Sequence, residues 1–578
     1  MSPTQATASP NLISTNGWDT VYALYFPDVN KAIVAQKSSP LSFSYSKAED
    51  DGTYTLTGTF GDWQLVAGGD GATIHMLVPV TTATLALSSK PATDGSPALA
   101  GQQTTYASPV QVTVEVKLAW VNAAQDDNNQ VLIVNGTSAI TEQPAVAILS
   151  VDYGNNPQPG MVEAAIFQQF LGMWLANHAG AFKHVFSSIT LNASLDKNPG
   201  FQWTVPTATL YAVVDQGNDA NGQNFARSIF AVLCMTEGRL SPGAHEVDPF
   251  AIPLGTEASP VNSAFLINPA RIMGNMLLPG LPLLFRDNPL LSSFSVSPDG
   301  LSISNNEELQ FADQQLDDGT TIHPKVRAQS FTIAMMGPLI QLQMNGLYFD
   351  YVSGTTVNIN HTSTVSLKLN TLGQFKMDLT HSTNHANVSQ SDGVYIGTIA
   401  ATLGLALASA AVGGLLGGVA EPAAAVALNA EEAGIELAPI VVDEGVVGAE
   451  QGNVAGAEVM QEVGAQAEAA VGGGAPSRFN LFFTTNWSKA LVMLTRAIVG
   501  SSVAIVNFAV KYAALHKAGE IPTLDAFGTQ VMAPVVWPNL TTAAAGAPLA
   551  DQLVSGTLNG AFQVGLNLKF NPAPVAGT

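Results

Sequence analysis

The histidines are the first residues in this chain whose type and spacing could support chemistry. The closest pair is His381 and His385, four residues apart, which is the spacing of two zinc ligands on a helix. They fall in a polar segment with a strand pattern, where positions four apart are not neighbours as they are on a helix. No Glu lies between them, so the helical zinc-protease motif is missing. The sequence therefore predicts no metal site here.

A second segment, residues 215–222, resembles a calcium-binding loop because it is rich in Asp, Asn and Gly. If Gly222 takes the obligatory sixth position, the first and twelfth ligand positions are Gly217 and Ser228, and neither carries a carboxylate. We expect an ordinary turn. The sequence also lacks a glycine-rich phosphate loop and a Gly-x-Ser-x-Gly nucleophile elbow. These patterns predict a protein that is not an enzyme and that has no cofactor.

Composition restricts the partners. The chain has 578 residues, a formal net charge of −23, and 21 Lys and Arg residues that form no basic stripe. Nucleic-acid binding needs clustered cations, so we exclude it as a function. The one cysteine, Cys234, cannot form an internal disulfide and lies in an apolar run typical of a buried thiol. The opening residues resemble no signal peptide, so we expect synthesis in the cytoplasm and any release by a non-Sec route.

Most of the segments that would position these residues have patterns typical of β-strands. Residues 20–26 are rich in β-branched and aromatic side chains, and residues 111–120 alternate apolar and polar side chains. Residues 356–379 predict a long hairpin with a turn near Leu372 and Gly373. The apolar segment 227–235 fits either a helix or a buried strand. The expected fold class is α+β with mostly antiparallel β-structure.

Few segments predict helices. Residues 29–34 follow a Pro-Asp start signal, and residues 262–285 predict a helix with a proline-rich apolar tail. Residues 161–178 predict an amphipathic helix whose apolar stripe is more consistent with core packing than with a cofactor site. The stripe comprises Ile166, Phe167, Phe170, Leu171 and Trp174.

Two apolar runs separate this chain from an ordinary β-protein. Residues 396–420 carry no charge, and residues 490–510 carry only Arg496; between 386 and 477 there are acids but no Lys or Arg. We expect 396–420 to be a helix packed closely against a sheet or another helix, with membrane insertion as the alternative, and 490–510 to be a helix buried on most sides. In that alternative, protonation of the neighbouring acids at low pH would favour insertion. The candidate groove or membrane-contact residues are Ile396, Ile399, Leu403, Leu407, Leu415, Leu416, Leu491, Leu494, Ile498 and Ile505.

The opening segment carries a family resemblance. Residues 16–33, which begin Asn-Gly-Trp-Asp, resemble the start of the 47-kDa proteins encoded beside clostridial neurotoxin genes, whose relatives are the OrfX proteins. Residues 277–282, 356–369 and 533–539 agree with the same family. The resemblance implies the tubular lipid-binding (TULIP) architecture, in which twisted sheets wrap long apolar helices and lipid occupies the groove between them.

This resemblance also sets the expected organisation and function. We expect a disordered lead (1–15), an N-terminal TULIP-like half (16–260), a second β-rich part (261–385), an apolar and acidic helical segment (386–520), and closing strands (521–578). The expected function is binding of a lipid or other apolar small molecule as an accessory protein of a toxin gene cluster. The alternatives are a membrane-inserting toxin component and a structural partner of other toxin-cluster proteins.

Overall fold

A computed structural model of the chain provides the architecture. The residues it describes are 12–49, 52–89, 101–123, 126–135, 144–193, 199–217, 225–286, 288–311, 313–315, 321–352, 355–369, 375–390, 535–536, 540–541 and 553–570. They divide into two compact units. The first unit is Ile13–Asn268 with Asp525–Gly556 and Gln563–Thr578, and the second is Met1–Leu12, Pro269–Leu524 and Thr557–Phe562. The domain boundaries expected from the sequence stay predictions.

Strands dominate the described residues. Those up to residue 267 are β1 (Thr20–Tyr25), β2 (Ser42–Ala48), β3 (Gly52–Phe60), β4 (Gln64–Leu65), β5 (Ile74–Ser89), β6 (Gln102–Tyr106), β7 (Val110–Val116), β8 (Leu118–Ala123), β9 (Asp126–Val134), β10 (Val146–Asp152), β11 (Ser187–Thr190), β12 (Pro206–Val214), β13 (Ile229–Thr236) and β14 (Ser263–Ile267). The later ones are β15 (Phe294–Val296), β16 (Ser302–Asn305), β17 (Leu309–Gln310), β18 (Gln314–Gln315), β19 (Thr321–Ile322), β20 (Lys325–Val326), β21 (Phe331–Met336), β22 (Leu339–Val352), β23 (Thr355–Leu369), β24 (Phe375–Gln390), β25 (Val535–Val536), β26 (Leu540–Thr541), β27 (Leu553–Asn559), β28 (Ala561–Leu566) and β29 (Lys569–Phe570).

Described helices are few and short. The longest, α2, is Met161–Asn177, with 17 residues, close to the predicted segment 161–178. The other helical elements are α1 (Phe26–Gln36), α3 (Pro269–Ile272), one π-helical turn (Met273–Leu277) and 3₁₀ turns at Ala179–Ala181, Pro199–Thr204, Phe225–Arg227, Leu278–Leu284 and Leu291–Ser293. None of the helices that the structure describes combines the length and apolar character needed to cross a bilayer. The predicted fold class of mostly antiparallel β-structure is therefore confirmed, whereas long apolar helices are not found among the described residues.

A sheet with the strand order β12-β13-β1-β14 forms the centre of the first unit, and β1 is antiparallel to both β13 and β14. Every residue of β13 and of β14 is buried. The predicted helix over 262–285 is wrong at its start, where β14 lies. A strand that is buried on both faces is apolar throughout, so its sequence lacks the alternation that identifies a half-buried strand. Only short helical turns follow β14, and Pro279 and Pro282 in the last of them prevent a regular α-helix.

A second sheet of the first unit carries α2. Its main order is β10-β7-β5-β3-β2, and β4 and β6 also pair with β5. Along β7 the buried and half-buried positions alternate as predicted, but the strand expected to continue to residue 120 ends at Val116, and Leu118–Ala123 forms β8 in another sheet. The buried face of α2 packs on β10, β2 and β3 through Phe167, Phe170, Leu171, Trp174 and Leu175.

The second unit is a separate antiparallel sheet. Its order is β15-β16-β21-β22-β20-β17, and β23 and β24 extend it beyond β22. The predicted hairpin over 356–379 is confirmed, since β23 and β24 pair from Thr355 with Gln390 to Leu369 with Phe375. Its core contains the rings of Phe285, Phe294, Phe311 and Phe331, with centroids 4.8–5.9 Å apart around Phe285.

Candidate apolar ligand site between helix and sheet

None of the ten groove residues predicted between residues 396 and 505 can be placed, because all of them lie outside the described residues. The structure instead offers a helix–sheet interface in the first unit. It lies where α2 covers the sheet of β10, β7, β5, β3 and β2. We refer to this contact as the α2 interface.

Aromatic rings fill the middle of the α2 interface. From the helix, Phe170 meets Tyr45 at 5.2 Å between ring centroids. Trp174 meets Phe60 at 5.3 Å and Phe43 at 6.0 Å. These separations fall in the range of favourable tilted and edge-to-face ring contacts. Ring contacts therefore join the helix to the sheet, and the hydroxyl of Thr104 in β6 also donates to Oε1 of Glu163 in α2 at 2.9 Å.

Two tyrosines close the end of the interface near the start of α2. Phe167 lies edge-on to Tyr106 at 5.3 Å and to Tyr153 at 5.6 Å, and the tyrosine rings are 5.5 Å apart. Both hydroxyls are buried and have no hydrogen-bond partner in the described part of the chain. Burial raises the pKa of Tyr106, and burial together with the neighbouring Tyr106 raises the pKa of Tyr153 to about 12. Both therefore keep their protons and can act as donors.

Two further polar atoms without partners lie along the continuation of this aromatic layer. Trp63 stacks on Phe182 at 4.7 Å, and its indole N–H is buried with no partner among the described residues. His184, fully buried, lies 4.7 Å from Phe186, and its Nε2 is likewise without a partner there. Its Nδ1 is 3.0 Å from Oε1 of Gln36. Because that oxygen is an acceptor, Nδ1 carries the proton and Nε2 presents a lone pair. Burial lowers the pKa of His184 to about 3, so the ring is neutral.

Polar atoms without partners are the unusual feature of this aromatic layer, because buried donors and acceptors nearly always find partners. The hydroxyls of Tyr106 and Tyr153 lie at the end near the start of α2, whereas the Trp63 and His184 atoms lie beside Phe182 and Phe186. The described residues here include no nucleophile paired with a base.

One wall of this interface is the apolar stripe of residues 161–178, which the sequence predicts to be core. Phe167, Phe170, Leu171 and Trp174 of this stripe are buried. The opposite wall includes Phe43, Tyr45 and Phe60 of β2 and β3, which lie more than one hundred residues earlier in the chain. Both segments are unusually rich in aromatic residues, and this enrichment is visible in the sequence. The sequence does not show which aromatic residue of one segment contacts which residue of the other.

The Gly-Trp-Asp segment, residues 17–19, has a structural role. Asp19 is fully buried, and its carboxylate accepts hydrogen bonds from the backbone N–H (2.9 Å) and hydroxyl (3.0 Å) of Thr236 and from Nη1 of Arg239 (2.5 Å). Trp18, also buried, donates from its indole N–H to the carbonyl of Ala244 at 3.1 Å. Gly17 reaches a φ of +84°, where glycine is favoured. The opening therefore locks the first strand against β13.

The other sequence candidates have structural roles where they are described. Asp215, in the calcium-like segment, accepts hydrogen bonds from the N–H of Gly68 (2.6 Å), the N–H of Gly217 (2.8 Å) and the hydroxyl of Ser228 (2.9 Å); residues 218–224 lie outside the described residues. His381 and His385 both belong to β24. Within the described ranges, no group of three or more His, Cys, Asp or Glu residues is placed to hold a metal ion.

The fold and this interface define a class of protein: a large antiparallel β-protein in which a helix covers a sheet over an aromatic layer. The chain matches the OrfX-like family, described as Protein OrfX2/OrfX3/P47, over residues 15–455, and it belongs to that family. The resemblance inferred from the opening segment is thereby confirmed.

Named relatives agree with this assignment. OrfX3 from Paraclostridium bifermentans is 30% identical over 294 residues, which cover 48% of this chain and 55% of that protein. OrfX3 from Clostridium botulinum (strain Kyoto / Type A2) is 28% identical over 291 residues, with 47% and 55% covered. The matches thus span about half the length of these curated relatives. The structure of P47 from C. botulinum A2 shares the fold, with a TM-score of 0.56 at 14% identity over 96% of this chain and 98% of that one.

Proposed function

We propose that the protein is a non-enzymatic accessory protein of a toxin gene cluster that binds a lipid or another apolar small molecule. The carrying observation is the α2 interface, where an aromatic layer coincides with the buried hydroxyls of Tyr106 and Tyr153, which lack partners in the described structure. Membership of the OrfX-like family supports the toxin-cluster setting. The sheet-and-helix contact supports, as part of the same proposal, a TULIP-like arrangement of the first unit.

The site favours a ligand with an apolar body and a polar end. The rings of α2 and its sheet would contact the body, since each Å² of apolar surface removed from water stabilises the complex by about 25 cal/mol. The hydroxyls of Tyr106 and Tyr153 would donate to the polar end. A fatty acid or a fatty alcohol fulfils both requirements, whereas a charged, fully polar metabolite fulfils neither.

Binding of a fluorescent fatty acid tests the proposal. We expect saturable binding at the α2 interface, weakened by the double variant Tyr106→Phe/Tyr153→Phe. Loss of one or two hydrogen bonds of about 1 kcal/mol each corresponds to roughly a 5- to 30-fold weaker affinity. The matched control is Tyr348→Phe, which removes a hydroxyl in the second unit and should leave affinity unchanged. Equal binding by all three proteins would refute this location for the ligand.

Membrane insertion is the second candidate function, and the uncharged run of residues 396–420 favours it. It predicts leakage of liposome contents that increases from neutral to acidic pH. A protein with residues 396–420 replaced by a polar linker of equal length should lose this activity. Absence of leakage at every pH tested would remove this candidate.

A structural role in a toxin complex is the third candidate. The rings that already meet across the α2 interface favour it, because a groove filled by its own side chains needs no ligand. This candidate fails if the native protein co-purifies with a stoichiometric lipid. The division into a lead, two β-rich parts, a helical segment and closing strands stays a proposal, to be tested by limited proteolysis.

A further inference from the structure

A small pocket opens elsewhere in the first unit, where β12 begins and β13 ends. Its volume is about 230 Å³, room for roughly seven or eight water molecules at about 30 Å³ each. The 3₁₀ turn Pro199–Thr204 and the residues after β11 complete its walls. The residues that line it are Asn192, Gln202, Trp203, Val205, Thr207 and Glu237.

Hydrogen bonds fix the walls of this pocket. The backbone N–H of Asn192 donates to the carbonyl of Pro206 at 2.9 Å. The amide nitrogen of Gln202 donates to the carbonyl of Ala193 at 2.7 Å. The hydroxyl of Thr207 accepts the N–H of Gly238 at 3.0 Å. The pocket is thus preformed, which lowers the entropic cost of binding.

Backbone strain coincides with the pocket. Asn192 and Glu237 adopt left-handed φ angles of +51° and +52°. Asparagine tolerates this region, but glutamate does not favour it. Glu237 and Gly238 occupy the centre of a tight turn closed by the N–H of Arg239 donating to the carbonyl of Thr236 at 3.0 Å. Such turns favour Asn-Gly, so the chain retains Glu where Asn would be more stable. Strained positions of this kind cluster at functional sites.

We infer that this pocket binds a quaternary ammonium group, either as free choline or as the headgroup of a choline lipid. Glu237 provides the one formal charge among the described lining residues, and the chain as a whole carries −23. Both favour a cationic ligand. Trp203 provides an indole, the side chain that best attracts a quaternary ammonium. The amides of Asn192 and Gln202 and the hydroxyl of Thr207 suit a polar substituent beside the cation. This inference does not depend on the proposed site at α2.

Calorimetric titration of the full chain with choline tests the inference. The matched ligand is 3,3-dimethylbutanol, which has the shape of choline without its charge. We expect choline to bind at least about 10-fold more tightly than this neutral isostere. Equal affinity for the two, or no heat from choline, would overturn the inference, as would tighter binding of the neutral polyol myo-inositol.

Variants of Glu237 separate the charge from the strain. Glu237→Gln keeps the strained backbone and removes the charge, so it should lose choline binding. Glu237→Asn removes both, so it should lose binding while melting at a higher temperature. Undiminished choline binding by either variant would contradict the proposal, and Trp203→Phe should weaken binding without abolishing it.

Vesicle flotation identifies the source of the ammonium group. Flotation with phosphatidylcholine vesicles that Glu237→Gln abolishes would identify a lipid headgroup, and choline binding without flotation would identify a soluble ligand. Flotation that is unchanged by Glu237→Gln, together with no response to free choline, would overturn the proposed pocket.

Discussion

Acidification should destabilise the first unit through the buried imidazole of His184. The ring is fully buried, donates from Nδ1 to Gln36, and lies beside Phe186 with no partner for Nε2 in the described structure. Burial lowers its pKa to about 3, against about 6.5 in an unfolded chain. Because the folded-state pKa is the lower one, the unfolded chain takes up the proton first. The full contribution of the neutral ring is present above about pH 6.5 and is lost as the pH falls towards 3.

The size of this effect follows from the pKa difference. Between about pH 6.5 and pH 3, each pH unit lowers the free energy of unfolding by about 1.4 kcal/mol. By about pH 5 the loss is about 2 kcal/mol, and near pH 3 it approaches 5 kcal/mol. Carboxylates titrate in the same range, so their contribution must be removed by comparison with a variant.

Urea unfolding at several pH values makes this comparison. Trp63 and Trp174 lie in the same unit as His184, so tryptophan fluorescence reports the transition. Between about pH 7.5 and pH 5, wild type should lose about 2 kcal/mol more than His184→Gln. Gln36→Ala is the control, because it removes a hydrogen bond yet keeps the imidazole and should retain the wild-type slope. Equal slopes for wild type and His184→Gln would refute the reasoning.

Four other substitutions test the packing. Asp19→Ala should lower the free energy of unfolding by about 3–5 kcal/mol, because it removes a buried carboxylate whose hydrogen bonds hold the first strand. Arg239→Ala should lower the free energy of unfolding by less, since that side chain is about half exposed. A larger loss for Arg239→Ala than for Asp19→Ala would contradict the structural role of Asp19. Gly58→Ala should destabilise the protein by about 1–3 kcal/mol, because the new Cβ would meet the carbonyl of Thr82 at 2.5 Å; an unchanged thermal melting temperature would contradict this. Trp174→Ala should cost about 3–5 kcal/mol by leaving a cavity in the α2 interface, as measured by urea midpoint, and addition of an apolar probe should recover part of that loss.

The sequence predicts those elements whose periodicity is unambiguous. α2 carries an apolar stripe with helical spacing and is predicted at close to its true bounds. The period-two alternation of residues 111–120 predicts one strand, but β7 ends at Val116 and Leu118–Ala123 forms β8 in another sheet. β14 was predicted as a helix because a strand buried on both faces shows a continuous apolar run. Without alternation, the local pattern cannot distinguish the two structures, and only its pairing with β1 decides.

The candidate site was less predictable than the fold. Phe170 and Trp174 were visible as a stripe, but their partners Tyr45, Phe43 and Phe60 come from strands far away in the chain. Such long-range pairing is set by sheet register, which no local pattern encodes. A buried atom without a partner is likewise a property of the assembled structure. The residues predicted for the groove lie outside the described residues, so that prediction stays open.

The proposed apolar ligand at the α2 interface can be sought directly in the native protein. The most direct measurement is mass spectrometry of an organic extract of the native protein, compared with a mock purification and with Tyr106→Phe/Tyr153→Phe purified in parallel. We expect a stoichiometric apolar molecule with one polar end in the wild-type extract, and less of it in the double variant. An empty wild-type extract from protein that also fails to bind a fatty-acid probe would contradict the proposed ligand site.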